Sequence, residues 1–186
     1  MYLACPIINT IDASPYMNAI KNIALIIILT ISTQSCGIYS FSGADVGDAQ
    51  TYQVNFFQNE AAIVEPGIDR TFTLDLQDLI QNQTSLVLTN TNGNLVYEGE
   101  IVEYYIAPQS STSQNTAAQN RLTITINVRF FNNTITDGSK DFEKRFSFFS
   151  DVPATTQLIG GALDIALDEI YERITQDIFN ASLANW

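Results

Sequence analysis

The chain contains no histidine. That absence excludes a serine–histidine–aspartate relay, an imidazole general base and a histidine metal ligand. Cysteine is nearly absent too. Cys5 and Cys36 are the only two in 186 residues, fewer than the four that a cysteine-only zinc site takes. Basic residues are scarce: eight Lys and Arg stand against 20 Asp and Glu, for a formal net charge of −12. Phosphate contacts need clustered Lys and Arg, so general nucleic-acid binding is not expected. Only 15 % of the residues are charged while 46 % are hydrophobic, too apolar a composition for a disordered chain. No phosphate loop, serine elbow or EF-hand pattern occurs, and no cofactor or metal is expected.

The one long apolar run is Ile23–Ile31. It falls short of the roughly 20 residues that cross a bilayer as a helix. It has the length of the apolar core of a secretory signal peptide, and Lys21 precedes it. Residues 1–35 are read as that signal. Met17 is by itself a compact signal start, so residues 1–16 are either an overextended start or a longer n-region. Thr33-Gln34-Ser35-Cys36 resembles a bacterial lipobox, with Thr33 where Leu is usual. The plainer alternative is an ordinary signal peptide with an incidental cysteine. In the lipobox reading, Cys36 carries the lipid and becomes the mature N-terminus, while Cys5 is removed. No thiol is then left for a disulfide, and the fold relies on its core. Residues 36–48, rich in Gly, Ser and Asp, read as a lipidated tether, and residues 49–186 as a single domain.

Hydrophobic periodicity supplies the elements. Thr51–Phe57 reads as a strand with Tyr52, Val54 and Phe56 on one face. Asp69–Gln81 reads as a helix with Asp69 as N-cap and a stripe of Phe72, Leu76, Leu79 and Ile80. Ser85–Thr89 is a short strand, and Asn92-Gly93 a hairpin turn signal leading into a strand over Leu95–Ile106, with a bulge or bend near Gly99. Pro108–Gln119 reads as a mobile loop. Arg121–Phe131 alternates cleanly: Leu122, Ile124, Ile126, Val128 and Phe130 point one way, and Arg121, Thr123, Thr125, Asn127 and Arg129 the other. Asp137-Gly138 turns the chain into Asp141–Phe149. Thr156–Leu183 is a long amphipathic helix whose regular start Gly160-Gly161 delays to about Ala162, with Glu169 and Arg173 as an i,i+4 ion pair. The expected class is α+β, with two helices on one face of a four- to five-stranded, largely antiparallel sheet.

For chemistry, the one carboxylate cluster on a strand is Glu98, Glu100 and Glu103. Glu98 and Glu100 share a face and have the makings of an acid/base pair, but a solvated strand edge is the favoured reading. Charge distribution says more. Arg121, Arg129, Lys140, Lys144 and Arg145 lie within one window, residues 121–145, that holds three acids and is therefore net +2, on a mature chain otherwise at −14. Phe130, Phe131, Phe142, Phe146, Phe148 and Phe149 belong to the same hairpin. Cations beside apolar groups suit an amphipathic anion such as a phosphorylated lipid. The bland alternative is a core hairpin whose outward positions happen to be basic.

Several segments taken together resemble one family. Ser35-Cys36-Gly37-Ile38-Tyr39-Ser40-Phe41-Ser42-Gly43, Tyr97-Glu98-Gly99-Glu100-Ile101, Asn120-Arg121-Leu122-Thr123-Ile124, Lys140-Asp141-Phe142-Glu143, Asp177-Ile178-Phe179-Asn180-Ala181 and Ala184-Asn185-Trp186 occur in the order seen in Bacteroidetes lipopolysaccharide (LPS)-assembly lipoproteins of the LptE family. The resemblance implies a non-enzymatic protein, lipid-anchored at the periplasmic face of the outer membrane. It would plug and assemble the LptD β-barrel translocon and bind LPS during delivery. It also implies two helices on a four-stranded sheet. The family's LPS-contacting residues do not map position by position, so the hairpin cations stand as candidates. A free-standing lipid-binding or adaptor lipoprotein of similar fold is the competing reading. Replacing Cys36→Ser should abolish incorporation of labelled palmitate and release the chain from membranes; labelling that survives the change removes Cys36 as the acylation site.

Overall fold

A computed structural model describes residues 44–109 and 118–184. The signal region, Cys36, most of the tether, the tip between the two longest strands and the last two residues lie outside them. The elements are β1 (Thr51–Val54), β2 (Gln58–Asn59), α1 (Ile68–Gln83), β3 (Val87–Leu88), β4 (Leu95–Gln109), β5 (Gln119–Asn132), β6 (Phe142–Pro153) and α2 (Gly161–Leu183).

The six strands form one mixed sheet in the order β3-β1-β4-β5-β6, with β2 pairing β4 off this path. Only β4-β5-β6 is antiparallel; β1, β2 and β3 all run parallel to their neighbours. The expectation of four to five largely antiparallel strands therefore holds for the longer half alone. The misleading signal is Asn92-Gly93. It closes no hairpin, because β1 lies between β3 and β4. The six residues 89–94 join two parallel strands by crossing the helix-free side of β1. Gln53 lies on that side, its Oε1 accepts from the Gly93 amide at 3.2 Å, and a Cβ on Gly93 would fall 2.7 Å from that of Gln53. Asn94 Oδ1 then accepts from the amides of Gln50 and Thr51 and from the Thr51 hydroxyl at 3.0–3.2 Å. Such connections usually need a dozen or more residues; only a glycine at the contact point makes six enough.

The first strand also ends early. The chain bends after Val54, which reverses the alternation: Phe57, not Phe56, is buried, and Phe56 is 54 % exposed. The Phe57 ring packs edge-on to Phe72 at 5.1 Å, and Phe72 packs on Tyr171 at 5.3 Å. Gly99 is explained by the same ring. A Cβ there would run into the Asn127 carbonyl oxygen and lie 2.7 Å from Phe57. The strand stays in register at Gly99, and the bulge falls at Val102, between Ile101 and Glu103. β4 continues through Pro108 and Gln109, residues expected in the loop; the rest of that expected loop, 110–117, lies outside the described residues.

Both helices cover one face of the sheet. β5 turns Leu122, Ile124, Ile126, Val128 and Phe130 into the core, each at most 1 % exposed. Burial of each such side chain contributes about 1.5–3 kcal/mol. α1 buries Phe72, Leu76 and Ile80, with Leu79 half-buried at the edge of the stripe. Its N-cap is Gly67 rather than Asp69, which lies within the first turn. α2 begins at Gly161 and buries Leu163, Leu167, Ile170, Ile174 and Ile178. Two buried tyrosines tie the layers by donating hydrogen bonds, Tyr52 to the Gln77 carbonyl (2.9 Å) and Tyr97 to the Ser182 hydroxyl (2.9 Å), and Tyr171 of α2 joins the helices by donating to the Ile68 carbonyl of α1 (3.2 Å). Arg173 pairs with Asp177 at 3.3 Å rather than with Glu169, whose carboxylate accepts from Ser150 of β6 instead.

Asp75 is half-buried on α1. Desolvation first, then the charges of Asp168 on α2 and Asp78, push its carboxyl up from 3.8 to about 6. The folded state therefore binds a proton that the unfolded state has already lost between those values, and this contribution to stability fades as pH rises through that window. We expect Asp75→Asn to raise the melting temperature at pH 7.5 and to narrow the gap between melting temperatures at pH 5 and pH 7.5. Calorimetric scans of both proteins check this, and parallel curves would refute it.

Candidate functional site

The helix-free face of β4-β5-β6 carries the polar residues in cross-strand rows. Register sets Glu98, Arg129 and Glu143 opposite one another, then Glu100, Asn127 and Arg145, then Glu103, Thr125 and Ser147. Arg129 lies at the centre of a carboxylate cage. Its guanidinium meets Glu98 at 3.2 Å, Glu100 at 2.9 Å and Glu143 at 3.9 Å. Asn127 Nδ2 donates to Glu100 and Glu143, both at 2.8 Å. The hydrogen bond from Arg129 holds the Glu100 carboxyl below its ordinary range. Glu98 and Glu100 are thus partners of one arginine. A catalytic acid needs its pKa raised, and Glu100 is shifted the other way.

The five hairpin cations fall into two groups. Arg121 and Arg129 are committed. Arg121 makes a two-pronged pair with Asp151 at 2.7 and 2.8 Å and stacks on Phe149, 3.7 Å from the ring centroid. Asp151 is held below its ordinary carboxylate range by that arginine. Lys140, Lys144 and Arg145 are exposed. Lys140 meets Asp45 at 3.6 Å. Lys144 and Arg145 have no carboxylate within 4.0 Å among the described residues. These last two line an open groove of about 510 Å³ between β6 and the last turns of α2, with Phe146, Asp177 and Asn180. Lys144 points to the helix side there, its amine 5.0 Å from the Phe146 ring centroid. Among the described residues no group of His, Cys, Asp and Glu is placed to hold a metal ion.

The three exposed cations share one end of the domain with the tether. Ala44 bridges Ala184 at the end of α2, and the Asp45 amide donates to the Leu183 carbonyl. The turn between β5 and β6 lies alongside, as the Lys140–Asp45 pair records.

The LptE family model, described as lipopolysaccharide-assembly, matches residues 49–182. The chain belongs to the LptE family. The match covers nearly the whole described domain and leaves out only residues 44–48, 183 and 184. No curated protein matches the chain. Among solved structures, the hypothetical protein CT253 from Chlamydia trachomatis is 9 % identical, with a TM-score of 0.50 over 74 % of this chain and 99 % of that one. PelC from Paraburkholderia phytofirmans, a dodecamer, is 8 % identical with a TM-score of 0.47, covering 77 % and 96 %. A minor lipoprotein from Acinetobacter baumannii is 13 % identical with a TM-score of 0.40, covering 73 % and 96 %. At these identities the CT253 likeness concerns the fold alone.

Sequence periodicity put Arg121 and Arg129 on one face, and the structure agrees. It missed their partners Asp151 and Glu143, because pairing depends on where the turn is centred. The chain between the strands runs over residues 133–141, and no two-residue hairpin at Asp137-Gly138 sets the register. Replacing Arg129→Gln should let the Glu100 pKa climb back toward its ordinary value, as read by carbon-13 NMR of the carboxyl. Glu100 now contributes stability above its unfolded pKa, and that contribution is lost as pH falls, so the variant's destabilisation should be larger at pH 7 than at pH 3. An unmoved Glu100 titration would contradict the cage.

Proposed function

We propose that this LptE-family chain is an outer-membrane lipoprotein, acylated at Cys36, that plugs and helps assemble an LptD-type β-barrel translocon and assists LPS delivery to the cell surface. The observation that carries the reading is the family match across residues 49–182. It is supported by the lipobox-like Cys36 and by a domain in which no helix of the described residues is long and apolar enough to cross a membrane. Anchoring then falls to the acyl chains, two or more of which hold stably where one does not.

Within this reading Arg121, Arg129, Lys140, Lys144 and Arg145 are the proposed LPS-contacting set, and they are unequal. A phosphate reaching Arg121 or Arg129 must displace a carboxylate that already neutralises it, whereas Lys144 and Arg145 have none to displace among the described residues. First contact therefore goes to Lys144 and Arg145, with Lys140 next because it meets Asp45 at 3.6 Å, at the end where the tether enters. Seven residues lie between Cys36 and Ala44, so eight Cα–Cα steps join them and span at most about 29 Å. Those cations thus stay within reach of the membrane surface.

Solubilising membranes in mild detergent and capturing the chain should recover a large outer-membrane barrel, identified by mass spectrometry, and depletion should remove LPS from the surface. A chain that runs alone, with surface LPS normal after depletion, rejects the plug and leaves the free-standing lipid-binding lipoprotein. Serine replacements at Lys144 and Arg145 should weaken binding to LPS micelles and flatten its salt dependence. The same replacements at Arg121 and Arg129 should act mainly on stability. Unchanged micelle binding in the first pair removes those residues from the site.

A further inference from the structure

β6 is the last strand of the sheet, and β5 is its one strand partner among the described residues. Its twelve residues pair with β5 without a register shift, so the outer rim is a regular row of backbone donors and acceptors as far as Val152, before Pro153, which has no N–H. No backbone hydrogen bond from another described element closes that rim. Such an edge is a template for another strand. Its sequence also carries an internal complementarity.

We propose that β6 pairs antiparallel with β6 of a second copy of this chain, about a twofold axis at Phe148, joining two sheets edge to edge. In an antiparallel pair directly opposed residues point to the same face. Centring on Phe148 places Arg145 opposite Asp151 of the second copy, twice by symmetry. Phe146 then faces Ser150 of the second copy, and Ser147 faces Phe149. Parity is consistent throughout: 145, 147, 149 and 151 lie on the helix-free face, 146, 148 and 150 on the helix side. Arg145 has no carboxylate within 4.0 Å among the described residues of its own chain. Asp151 uses one lone pair on each oxygen for Arg121 and keeps others to accept Arg145. Phe149, 39 % exposed, and the half-buried Phe148 gain cover.

Other registers lose this match. Centring on Ser147 opposes Glu143 with Asp151. Centring on Phe146 leaves Arg145 facing serine and Glu143 facing phenylalanine. Centring on Arg145 opposes two arginines. Like charges directly opposite destabilise a sheet, and opposite charges stabilise it. Lys144, on the helix side, meets Val152 near the ladder's end and stays exposed beside the groove, so it does not block the pairing.

The test uses the purified full chain in detergent without any barrel, so its outcome is independent of the translocon reading. Phe148→Cys should form a covalent dimer under mild oxidation, because residues on the twofold bring their Cα atoms to about 4.5–5.5 Å, within disulfide range. Phe146→Cys should not, since its two copies lie about 14 Å apart along the strands. The unsubstituted chain, with its own cysteines, is the control. Sedimentation should show the unsubstituted dimer, and Arg145→Asp, at an exposed position that folding does not need, should weaken association at least about fivefold. A monomer at tens of micromolar, equal crosslinking at 146 and 148, or no effect of Arg145→Asp each overturns the proposal.

Discussion

A strand buried on one face has no freedom of register, since a slip of one residue would send its whole apolar set to the wrong side. β5 is that strand here. Its five core side chains are at most 1 % exposed, and they commit Arg121, Thr123, Thr125, Asn127 and Arg129 to the other face. Because β5 lies between β4 and β6, its parity dictates theirs. Glu98 and Glu100 come up beside Arg129 from one side and Glu143 from the other. The carboxylate cage is thus a consequence of core burial two bonds away. The helices then lie over the apolar side, and the tyrosine hydroxyls of the core find acceptors on them, which leaves few ways for the two layers to slide.

What the sequence made legible follows from this constraint. Long segments with one period were read well: α1, α2 and β5 each repeat their apolar residues often enough that a one-residue error would be visible. The short strand at Ser85–Thr89 was also found, as β3, but the end of the first strand was not. β1 has four residues and bends at Asn55, so Phe56 and Phe57 exchanged roles. The parallel edge was hidden because Asn92-Gly93 reports only a tight reversal. Whether that reversal joins neighbours or crosses a strand depends on Gln53 and Asn94, more than forty residues apart in sequence. Gly99 carried a real signal with the wrong meaning. It marks a ring pressed against the backbone, while the bulge fell at Val102, a residue with no turn chemistry.

The candidate site was legible in composition but not in partnership. A count of charges along the chain treats the five hairpin cations alike. In the fold, two are neutralised on the helix-free face, one pairs across to the tether, and two stand at the β6 edge with no carboxylate within 4.0 Å among the described residues. The difference between a structural arginine and an available one lies entirely in cross-strand register, which no local pattern encodes when the connecting turn is nine residues long.

The arrangement of these groups along the strands gives the domain two unlike ends. At one end Ala44 enters, α2 finishes and Lys140, Lys144 and Arg145 are exposed. Toward the other, β4 and β5 run on to Gln109 and Gln119, with Tyr105, Ile106 and Phe149 exposed by 54 %, 38 % and 39 %. The fifteen residues of β4 make this axis roughly 50 Å long. If the chain is anchored through Cys36, Lys144 and Arg145 lie toward the phosphorylated headgroups, and the exposed Tyr105, Ile106 and Phe149 lie toward the far end. A net charge of −12 would otherwise hold the domain away from an anionic leaflet. Lys144 and Arg145 toward the tether end offset part of that repulsion, beside the exposed Asp137, Asp141 and Glu143, and the long strands project toward the far end.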